Sequence, residues 1–221
     1  MDLSFDQLIQ KCKKCTNCRL RETATQVVPG DGNPKAEIMF IGEGPGENED
    51  REGIPFCGAA GKFLDELLGT IEVQRKDVFI TNMVRCRPPG NRDPQDDEMK
   101  ACKKWTNALI ETIQPKVFAL LGRFAMAKFF PKFKISQVHG CAYRKWNRLF
   151  VIMYHPAVAL YNGSFRDVLA SDMKILREIL DGNESRIESL DEARSDIKEL
   201  LERKRETNKE KKSQLGMNLA K

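Results

Sequence analysis

Five cysteines lie in two groups whose spacing suits a metal site. Cys12, Cys15 and Cys18 form two overlapping pairs with two residues between the sulfurs, and Cys86 and Cys102 flank a proline-rich loop. A two-residue gap lets both thiolates of a pair reach one metal ion. Four thiolates suit either zinc or an iron–sulfur cluster, and the spacing does not decide between them. The alternative is a set of buried core cysteines, which the polar neighbours in the first group disfavour.

A second set of candidate residues follows three apolar runs of the chain. The glycine-rich residues 42–46 come after the run at 38–41, Asn82 ends the run at 78–82, and His155 follows the run at 149–153. The carboxyl ends of parallel strands meet at one edge of a sheet, where ligands bind. We therefore expect these three segments to share one site. The glycine loop alone matches neither a phosphate-binding nor a dinucleotide-binding motif.

Strands must alternate with helices to place these segments together. Short apolar runs predict four buried strands over residues 38–41, 78–82, 116–121 and 149–153. Helical periodicity predicts helices over residues 3–14, 63–71, 94–113, 124–130 and 165–180, the third with Asp93 as its cap and Pro94 as its first residue. This order predicts an α/β domain over residues 1–181 with three layers, αβα, around a central, mainly parallel, four-stranded sheet.

Composition limits the class of protein. The chain has 221 residues and a formal net charge of +5, which is compatible with nucleic acid binding without requiring it. No apolar run approaches the roughly 20 residues of a membrane-spanning helix, and the acidic start, Met1-Asp2, is unlike a secretory signal. We expect no membrane contact and a cytoplasmic setting of prokaryotic type, in which thiols stay reduced.

Residues 182–221 differ in composition from the rest of the chain. They are rich in both signs of charge, and Ile187, Leu190, Ile197 and Leu201 recur at helical spacing. This pattern predicts a charged helical tail. Two interpretations stay open, a solvated appendage packed on the domain and a helix that contacts another protein.

Several strings of the sequence resemble the motifs of family-four uracil-DNA glycosylases. They are G-E-G-P-G-E-N-E-D-R-E-G-I-P-F-C-G-A-A-G-K-F-L-D from residue 42, I-T-N-M-V-R-C-R-P-P-G-N-R-D-P from residue 80 and Y-H-P-A from residue 154. C-T-N-C-R-L from residue 15 and V-V-P-G-D-G-N-P from residue 27 also match. The motifs agree in order and spacing over about residues 12–180, and the resemblance implies the uracil-DNA glycosylase fold.

The resemblance implies a DNA repair enzyme without strand-cleaving activity. Such an enzyme flips uracil out of DNA and hydrolyses its N-glycosidic bond, which leaves an abasic site. The resemblance also implies a [4Fe–4S] cluster of structural rather than catalytic role. Its ligands would be Cys15, Cys18, Cys86 and Cys102, and Cys12 would be a spare thiol. The implied partner is uracil-containing DNA, bound by a monomer that associates with the nucleoid through that DNA.

Six residues are implied to bind uracil, namely Gly42, Glu43, Gly44, Phe56, Asn82 and His155. Phe56 offers an apolar face for the base. The Asn82 amide can pair with both O4 and N3–H of uracil, whereas cytosine presents the opposite pattern. His155 can donate a hydrogen bond to O2 as negative charge develops.

Two glutamates are implied to be catalytic. Glu43 would place or activate the attacking water, or offset the cationic charge on the sugar. Glu49 would shape the uracil pocket or hydrogen-bond with Asn91, which is expected to have a supporting role.

Contacts with the DNA backbone are expected from basic side chains near the motifs, namely Lys62, Arg85, Arg87 and Arg92. After Y-H-P-A the family usually continues with Leu-Leu-Arg, whereas this chain has V-A-L-Y-N from residue 158. Leu160 or Tyr161 is therefore the candidate wedge that enters the DNA helix.

Two other functions compete with catalytic turnover. A related group of uracil-DNA binders traps its product covalently through a histidine in an inserted basic loop, but this chain has no histidine between Glu49 and Asn82. The second alternative is a non-catalytic, metal-dependent DNA-binding module, in which Glu43, Asn82 and His155 would be incidental.

Overall fold

The computed structural model describes residues 4–188. Its strands are β1 (Asp31–Gly32), β2 (Ile38–Gly42), β3 (Phe79–Asn82), β4 (Val117–Leu121), β5 (Ala142–Lys145), β6 (Arg148–Met153) and β7 (Ile187–Glu188). They form one sheet in the order β1-β3-β2-β4-β6-β5-β7. The four predicted strands, β3, β2, β4 and β6, are parallel neighbours at its centre, which confirms the predicted core. Antiparallel strands extend this core on both sides, β1 beside β3 and β5 beside β6.

Helices cover both faces of this sheet. They are α1 (Phe5–Lys13), α2 (Leu20–Thr23), α3 (Glu47–Glu52), α4 (Ala59–Thr70), α5 (Asp96–Ile113), α6 (Arg123–Phe129), α7 (Ile135–Val138), α8 (Val158–Tyr161) and α9 (Phe165–Leu180). On one face, Leu64 of α4 and Met173 of α9 are buried in the same apolar cluster. On the other face, Phe118 and Phe150 stack with ring centroids 4.9 Å apart, and Phe129 of α6 packs against both. The three-layer αβα prediction is therefore confirmed.

The central strands form where the sequence is apolar without alternation. Every residue of β2, β3 and β4 is buried, as expected for parallel strands covered on both faces. Most polar residues of the site therefore follow the strand ends, and Asn82 is the last residue of β3. Gly42 pairs in register with Asn82, and Leu121 pairs with Met153, so the ends of all four parallel strands lie at one edge.

Two local predictions were wrong. Helix α5 begins at Asp96, and its cap is Gln95, whose backbone N–H donates to Glu98 Oε2 at 2.8 Å. Asp93, the predicted cap, instead pairs with Arg123. The sheet has seven strands within residues 4–188 rather than the predicted four, since β1, β5 and β7 were not predicted. Strand β5 joins β6 through Trp146 and Asn147, which both have positive φ, 51° and 56°. Two such residues make the tight hairpin turn that matches the twist of the strands.

The domain continues beyond residue 181. A 3₁₀ turn at Glu184–Arg186 is held by Arg144 of β5, whose Nη2 donates to Glu184 Oε1 at 2.6 Å. The predicted helical tail otherwise lies outside the described residues. No helix within residues 4–188 is both long and apolar enough to cross a membrane.

Candidate active site

The carboxyl ends of the strands open on one cavity of about 260 Å³. Its lining residues are Glu43, Gly44, Pro45, Gly46, Glu49, Phe56, Ala60, Asn82, Pro88, Asn91, Arg92, His155, Ala157 and Tyr161. The glycine loop, the end of β3 and the segment after β6 therefore meet at this cavity, as the strand pattern predicted. Five of the residues predicted to contact uracil or DNA are not part of this lining, namely Gly42, Lys62, Arg85, Arg87 and Leu160.

Gly42 makes room for the two side chains that face it. A Cβ atom at this position would lie 2.4 Å from Asn82 Oδ1 and 2.7 Å from Cε2 of Phe56. Real Cβ atoms do not approach other atoms this closely. The glycine at the end of β2 thus lets the Asn82 amide and the Phe56 ring share the floor of the cavity.

Phe56 is held in a backbone conformation that is rare for an aromatic residue. Its φ is 52°, and its side chain is 5% exposed. Gly61 packs directly beneath it, since a Cβ there would lie 1.7 Å from the Phe56 carbonyl oxygen. The ring faces the His155 ring, with centroids 5.3 Å apart and planes inclined by 30°. Strain of this kind persists only where the surrounding packing enforces it.

Asn82 carries a buried acceptor at the cavity. The residue is 1% exposed, and no group within residues 4–188 donates to its Oδ1. Such an atom costs free energy unless a donor reaches it. The Asn82 backbone is fixed separately, because its carbonyl oxygen accepts a hydrogen bond from Arg85 Nη1. The arrangement suits a ligand that supplies a donor to this oxygen.

His155 is a neutral hydrogen-bond donor at neutral pH. Burial lowers its pKa to about 4, and the Glu49 carboxylate opposes this shift. The backbone N–H of Ala157 donates to Nδ1 at 3.2 Å. Because Nδ1 accepts, the ring proton lies on Nε2.

A buried carboxylate holds the segment that precedes His155. Asp172 on α9 accepts from the Tyr154 backbone, and both of its oxygens lie 3.2 Å from Nδ1 of His139. Burial raises the pKa of Asp172, and the hydrogen bond from His139 opposes that shift. The His139 and Tyr154 rings lie 4.5 Å apart. Sequence reasoning missed this group, because its members are 15 to 33 residues apart and share no motif.

Glu43 is partly buried, so its ionised carboxylate is less well solvated than in water. Burial, followed by the nearby Asp93 carboxylate, raises the pKa of Glu43 to about 7, and Arg123 opposes the shift. A carboxyl group with a pKa near neutrality can accept a proton from water and release it again. Glu43 is therefore suited to general base chemistry.

Glu49 ties two loops together at the cavity wall. Its Oε2 accepts from the Gly46 backbone at 3.0 Å, and its Oε1 accepts from the Gly58 backbone at 2.8 Å. Of the two expectations for Glu49, this arrangement fits the shaping of the pocket. The structure shows no hydrogen bond between Glu49 and Asn91, whose Oδ1 accepts from Arg87 Nε at 2.7 Å.

The expected DNA-contacting residues fall into two groups. Lys62 is exposed on α4, and Leu160 and Tyr161 on α8 are 47% and 92% exposed. Arg87 and Arg92 are partly exposed beside the cavity, and Arg92 is paired with Glu98 at 2.6 Å. All five residues are at least partly exposed, and Arg92 and Tyr161 also line the cavity.

Arg85 cannot contact DNA, and that prediction was wrong. The residue is 1% exposed, and its Nη1 donates to backbone oxygens of Asn82 and Met83 and to Thr106 Oγ1. Its position beside a cysteine in a basic, proline-rich motif gave no sign of this burial.

The cysteines of the two groups converge. Cys12, Cys86 and Cys102 are buried in one apolar cluster, and Cys18 packs against it. Cys15 accepts a hydrogen bond from Trp105 Nε1 at 3.1 Å. None of these thiols is in a disulfide. Burial raises the pKa of Cys86 and of Cys12 to about 12.

The fit of this group to a metal centre can be judged from its surroundings. Within residues 4–188, no three His, Cys, Asp or Glu side chains are preassembled as a metal site. Nevertheless, Nε and Nη2 of the buried Arg85 have no acceptor among these residues, and cysteine side chains are the titratable groups that interact with Arg85 most strongly. A buried cation that faces thiols fits an anionic thiolate centre.

Comparison with known proteins identifies the family of the chain. The family described as the uracil DNA glycosylase superfamily matches residues 29–176. A type-4 uracil-DNA glycosylase of Saccharolobus solfataricus is 46% identical over 188 residues, which cover 80% of this chain and 87% of the relative. The type-4 enzyme of Sulfurisphaera tokodaii is 45% identical over 186 residues, with 80% and 84% covered.

Similarity to another type of the same enzyme is weaker. A type-5 uracil-DNA glycosylase of Thermus thermophilus is 33% identical over 136 residues, which cover 52% of this chain and 62% of the relative. The type-4 relatives therefore match more of the chain at higher identity. The chain belongs to the uracil DNA glycosylase superfamily, with the type-4 enzymes as its relatives over the whole domain.

Proposed function

We propose that the protein removes uracil from DNA by hydrolysing the bond between N1 of the base and C1′ of deoxyribose. The observation that carries this proposal is the buried Oδ1 of Asn82, which has no donor among residues 4–188, in a residue that lines one cavity with Phe56 and His155. A base inside a duplex cannot enter such a cavity, so the nucleotide must be flipped out of the helix.

Base recognition follows from the donors and acceptors of Asn82. Its Oδ1 accepts from N3–H of uracil, and its amide N–H donates to O4. Cytosine has an acceptor at N3 and a donor at N4, so both contacts become repulsive. The Phe56 ring supplies the apolar surface on which the base stacks.

Departure of the base requires a donor for the negative charge that develops on it. His155 is neutral at pH 7, and its proton lies on Nε2, because Nδ1 accepts from Ala157. A neutral imidazole can donate to O2 of uracil without transferring its proton. Removal of a comparable donor typically raises the barrier by about 3–4 kcal/mol.

Glu43 acts on the water. The pKa of about 7 leaves a large fraction of this carboxyl ionised at neutral pH. The carboxylate takes one proton from water as the oxygen bonds to C1′ and the C1′–N1 bond breaks. Uracil leaves as an anion, and the DNA retains an abasic sugar. The ionised group also offsets the positive charge on the sugar in the transition state.

The DNA strand lies across the cavity mouth in this proposal. Lys62, Arg87 and Arg92 neutralise phosphates, which makes binding depend on salt. Tyr161 is the better candidate for the wedge, since it is 92% exposed and also lines the cavity.

The cysteine site holds a [4Fe–4S] cluster in this proposal, with Cys15, Cys18, Cys86 and Cys102 as ligands. When bound, the cluster supplies a rigid connection between the N-terminal segment and the loop after β3, and no reacting group. Protein purified without oxygen is then yellow-brown with about four irons per chain. A colourless protein that contains zinc would contradict the cluster.

Turnover is favoured over covalent trapping. The chain has two histidines, and His139 is engaged by Asp172 and does not line the cavity. Incubation with a uracil-containing oligonucleotide, followed by alkali, is expected to cut the DNA at the uracil position with many cycles per protein. A protein–DNA band that survives a denaturing gel would support trapping.

A binding module without activity is distinguished by His155→Ala. The variant is expected to release uracil about 100- to 1000-fold more slowly, with DNA affinity nearly unchanged. His139→Ala is the matched control and should retain DNA affinity equally well. Equal uracil release by wild type and His155→Ala would contradict the proposed mechanism.

A further inference from the structure

The guanidinium of Arg85 lies between the end of β3, which carries Asn82, and the group of cysteines. On one side, Nη1 donates to Asn82 O, to Met83 O at 3.1 Å and to Thr106 Oγ1 at 2.9 Å. On the other side, Nε and Nη2 are buried without an acceptor among residues 4–188. One nitrogen therefore has three acceptors, while two others point into a space that supplies none.

Four cysteine side chains lie near the guanidinium of Arg85. The thiols of Cys102, Cys12, Cys15 and Cys86 act on it most strongly, in that order. A buried guanidinium is costly unless an anion compensates it. Neutral thiols accept hydrogen bonds weakly and carry no charge. An iron–sulfur centre with four thiolate ligands carries net negative charge, and hydrogen bonds to its sulfurs stabilise it.

We propose that Arg85 is a positioning residue that couples the cysteine-bound cluster to the base-reading amide: Nε and Nη2 donate to ligand sulfurs, and Nη1 holds the Asn82 backbone. This inference rests on the proposed cluster. The inference goes beyond the cluster itself, because it assigns a contact through which occupancy of the cysteine site affects recognition of the base. Arg85 neither touches the substrate nor ligates iron.

Two consequences follow from this dual contact. Loss of Arg85 removes the compensating charge, so the cluster is released more readily. It also frees the carbonyl of Asn82 at the end of β3, so the amide that reads the base loses its fixed position. A purely structural buried arginine would affect the free energy of unfolding without a specific effect on either property.

The test compares iron release from wild type, Arg85→Met, Arg85→Lys and Arg144→Met, all purified without oxygen. Arg144 is the control, because its replacement also removes one positive charge, but it pairs with Glu184 and lies on β5, which carries none of the proposed ligands. Loss of visible absorption in excess chelator is expected to be about 10- to 100-fold faster in Arg85→Met, as for other partners of metal ligands. Arg85→Lys should be intermediate, and Arg144→Met should equal wild type.

The second readout is the ratio of uracil to cytosine removal by iron-loaded protein, which should fall in Arg85→Met and not in Arg144→Met. Unchanged iron release and an unchanged ratio in Arg85→Met overturn the role of Arg85 alone. A wild type without iron overturns the cluster and this role together.

If Arg85→Met does not fold, vibrational spectroscopy on folded proteins decides the question. Hydrogen bonds to sulfur make the Fe–S(Cys) stretching bands shift when the protein is transferred to D₂O. A larger shift in wild type than in Arg85→Lys supports the proposal, and equal shifts overturn it.

Discussion

The backbone of Gly42 and the side-chain oxygen of Asn82 face each other across β2 and β3 at a distance that only glycine permits. A Cβ at residue 42 would lie 2.4 Å from Asn82 Oδ1. The two residues are also partners in the register of the parallel strands. The position of the Asn82 amide is therefore set by the sheet itself.

Gly42→Ala is expected to lower the rate of uracil release about 100-fold, because the added methyl displaces Asn82 and Phe56 from their shared position. The measurement is single-turnover release from a uracil-containing oligonucleotide. Gly69→Ala is the control, since a Cβ there meets no atom within 4 Å. That variant should keep its activity and gain up to about 1 kcal/mol in the free energy of unfolding. Full activity of Gly42→Ala would show that the cavity floor tolerates a shift.

Asn82→Asp is expected to weaken the preference for uracil over cytosine. An ionised carboxylate only accepts hydrogen bonds, so it loses the contact with O4 of uracil and accepts from N4 of cytosine. The expected loss of discrimination is about 1–3 kcal/mol. Competition between matched uracil and cytosine oligonucleotides measures it, with Asn107→Asp as the control. An unchanged ratio would exclude Asn82 as the residue that reads the base.

The pH dependence of uracil release is expected to follow Glu43. The raised pKa means that the active carboxylate dominates above about pH 7 and is lost as the pH falls through that value. His155, with its pKa near 4, stays neutral throughout this range. Single-turnover rates measured from about pH 5.5 to about pH 8.5, a range that brackets the pKa of Glu43, should therefore rise with pH and then level off.

Glu43→Gln should be slower by about 100- to 10,000-fold and independent of pH over the same range. Glu111→Gln, an exposed change, should retain the wild-type profile. A Glu43→Gln variant with the same rising limb would assign that limb to another group.

Asp172→Ala is expected to lower the free energy of unfolding by about 1–3 kcal/mol, because it leaves the Tyr154 backbone and His139 without their acceptor. It should also lower kcat more than it raises KM, since His155 follows the released segment. Asp172→Asn retains an acceptor and should recover part of both losses. Asp167→Ala, at an exposed position of α9, should change stability by less than about 1 kcal/mol. Equal kcat in Asp172→Ala and wild type would mean that β6 alone positions His155.

The parallel core and the site at its edge could be predicted from the sequence for one physical reason. Strands buried on both faces are continuous apolar runs, so their ends are visible as changes in polarity, as at Gly42 and Asn82. The strand β5 contains Arg144 and Lys145, which hide that signal. The hairpin at Trp146 and Asn147 lacks the glycine that usually marks such a turn.

Contacts between distant segments could not be predicted from local pattern. Arg85 has the appearance of a DNA-binding cation, because the sequence does not reveal that Thr106 and the cysteines enclose it. Asp172 and His139 meet only after α9 packs on the sheet. The resemblance to family motifs led to Phe56 and Glu43 as candidates. The positive φ of Phe56 and the raised pKa of Glu43 are properties of the folded domain and have no signal in the sequence.

The turn after β6 fixes the tautomer of His155 and so affects how the site responds to acidity. Because the Ala157 amide occupies one imidazole nitrogen, main-chain geometry alone decides where the mobile hydrogen of His155 resides. Mild acidification does not change the protonation of His155, because its pKa is about 4. Between the two side chains, only Glu43 therefore gains a proton when the medium becomes mildly acidic.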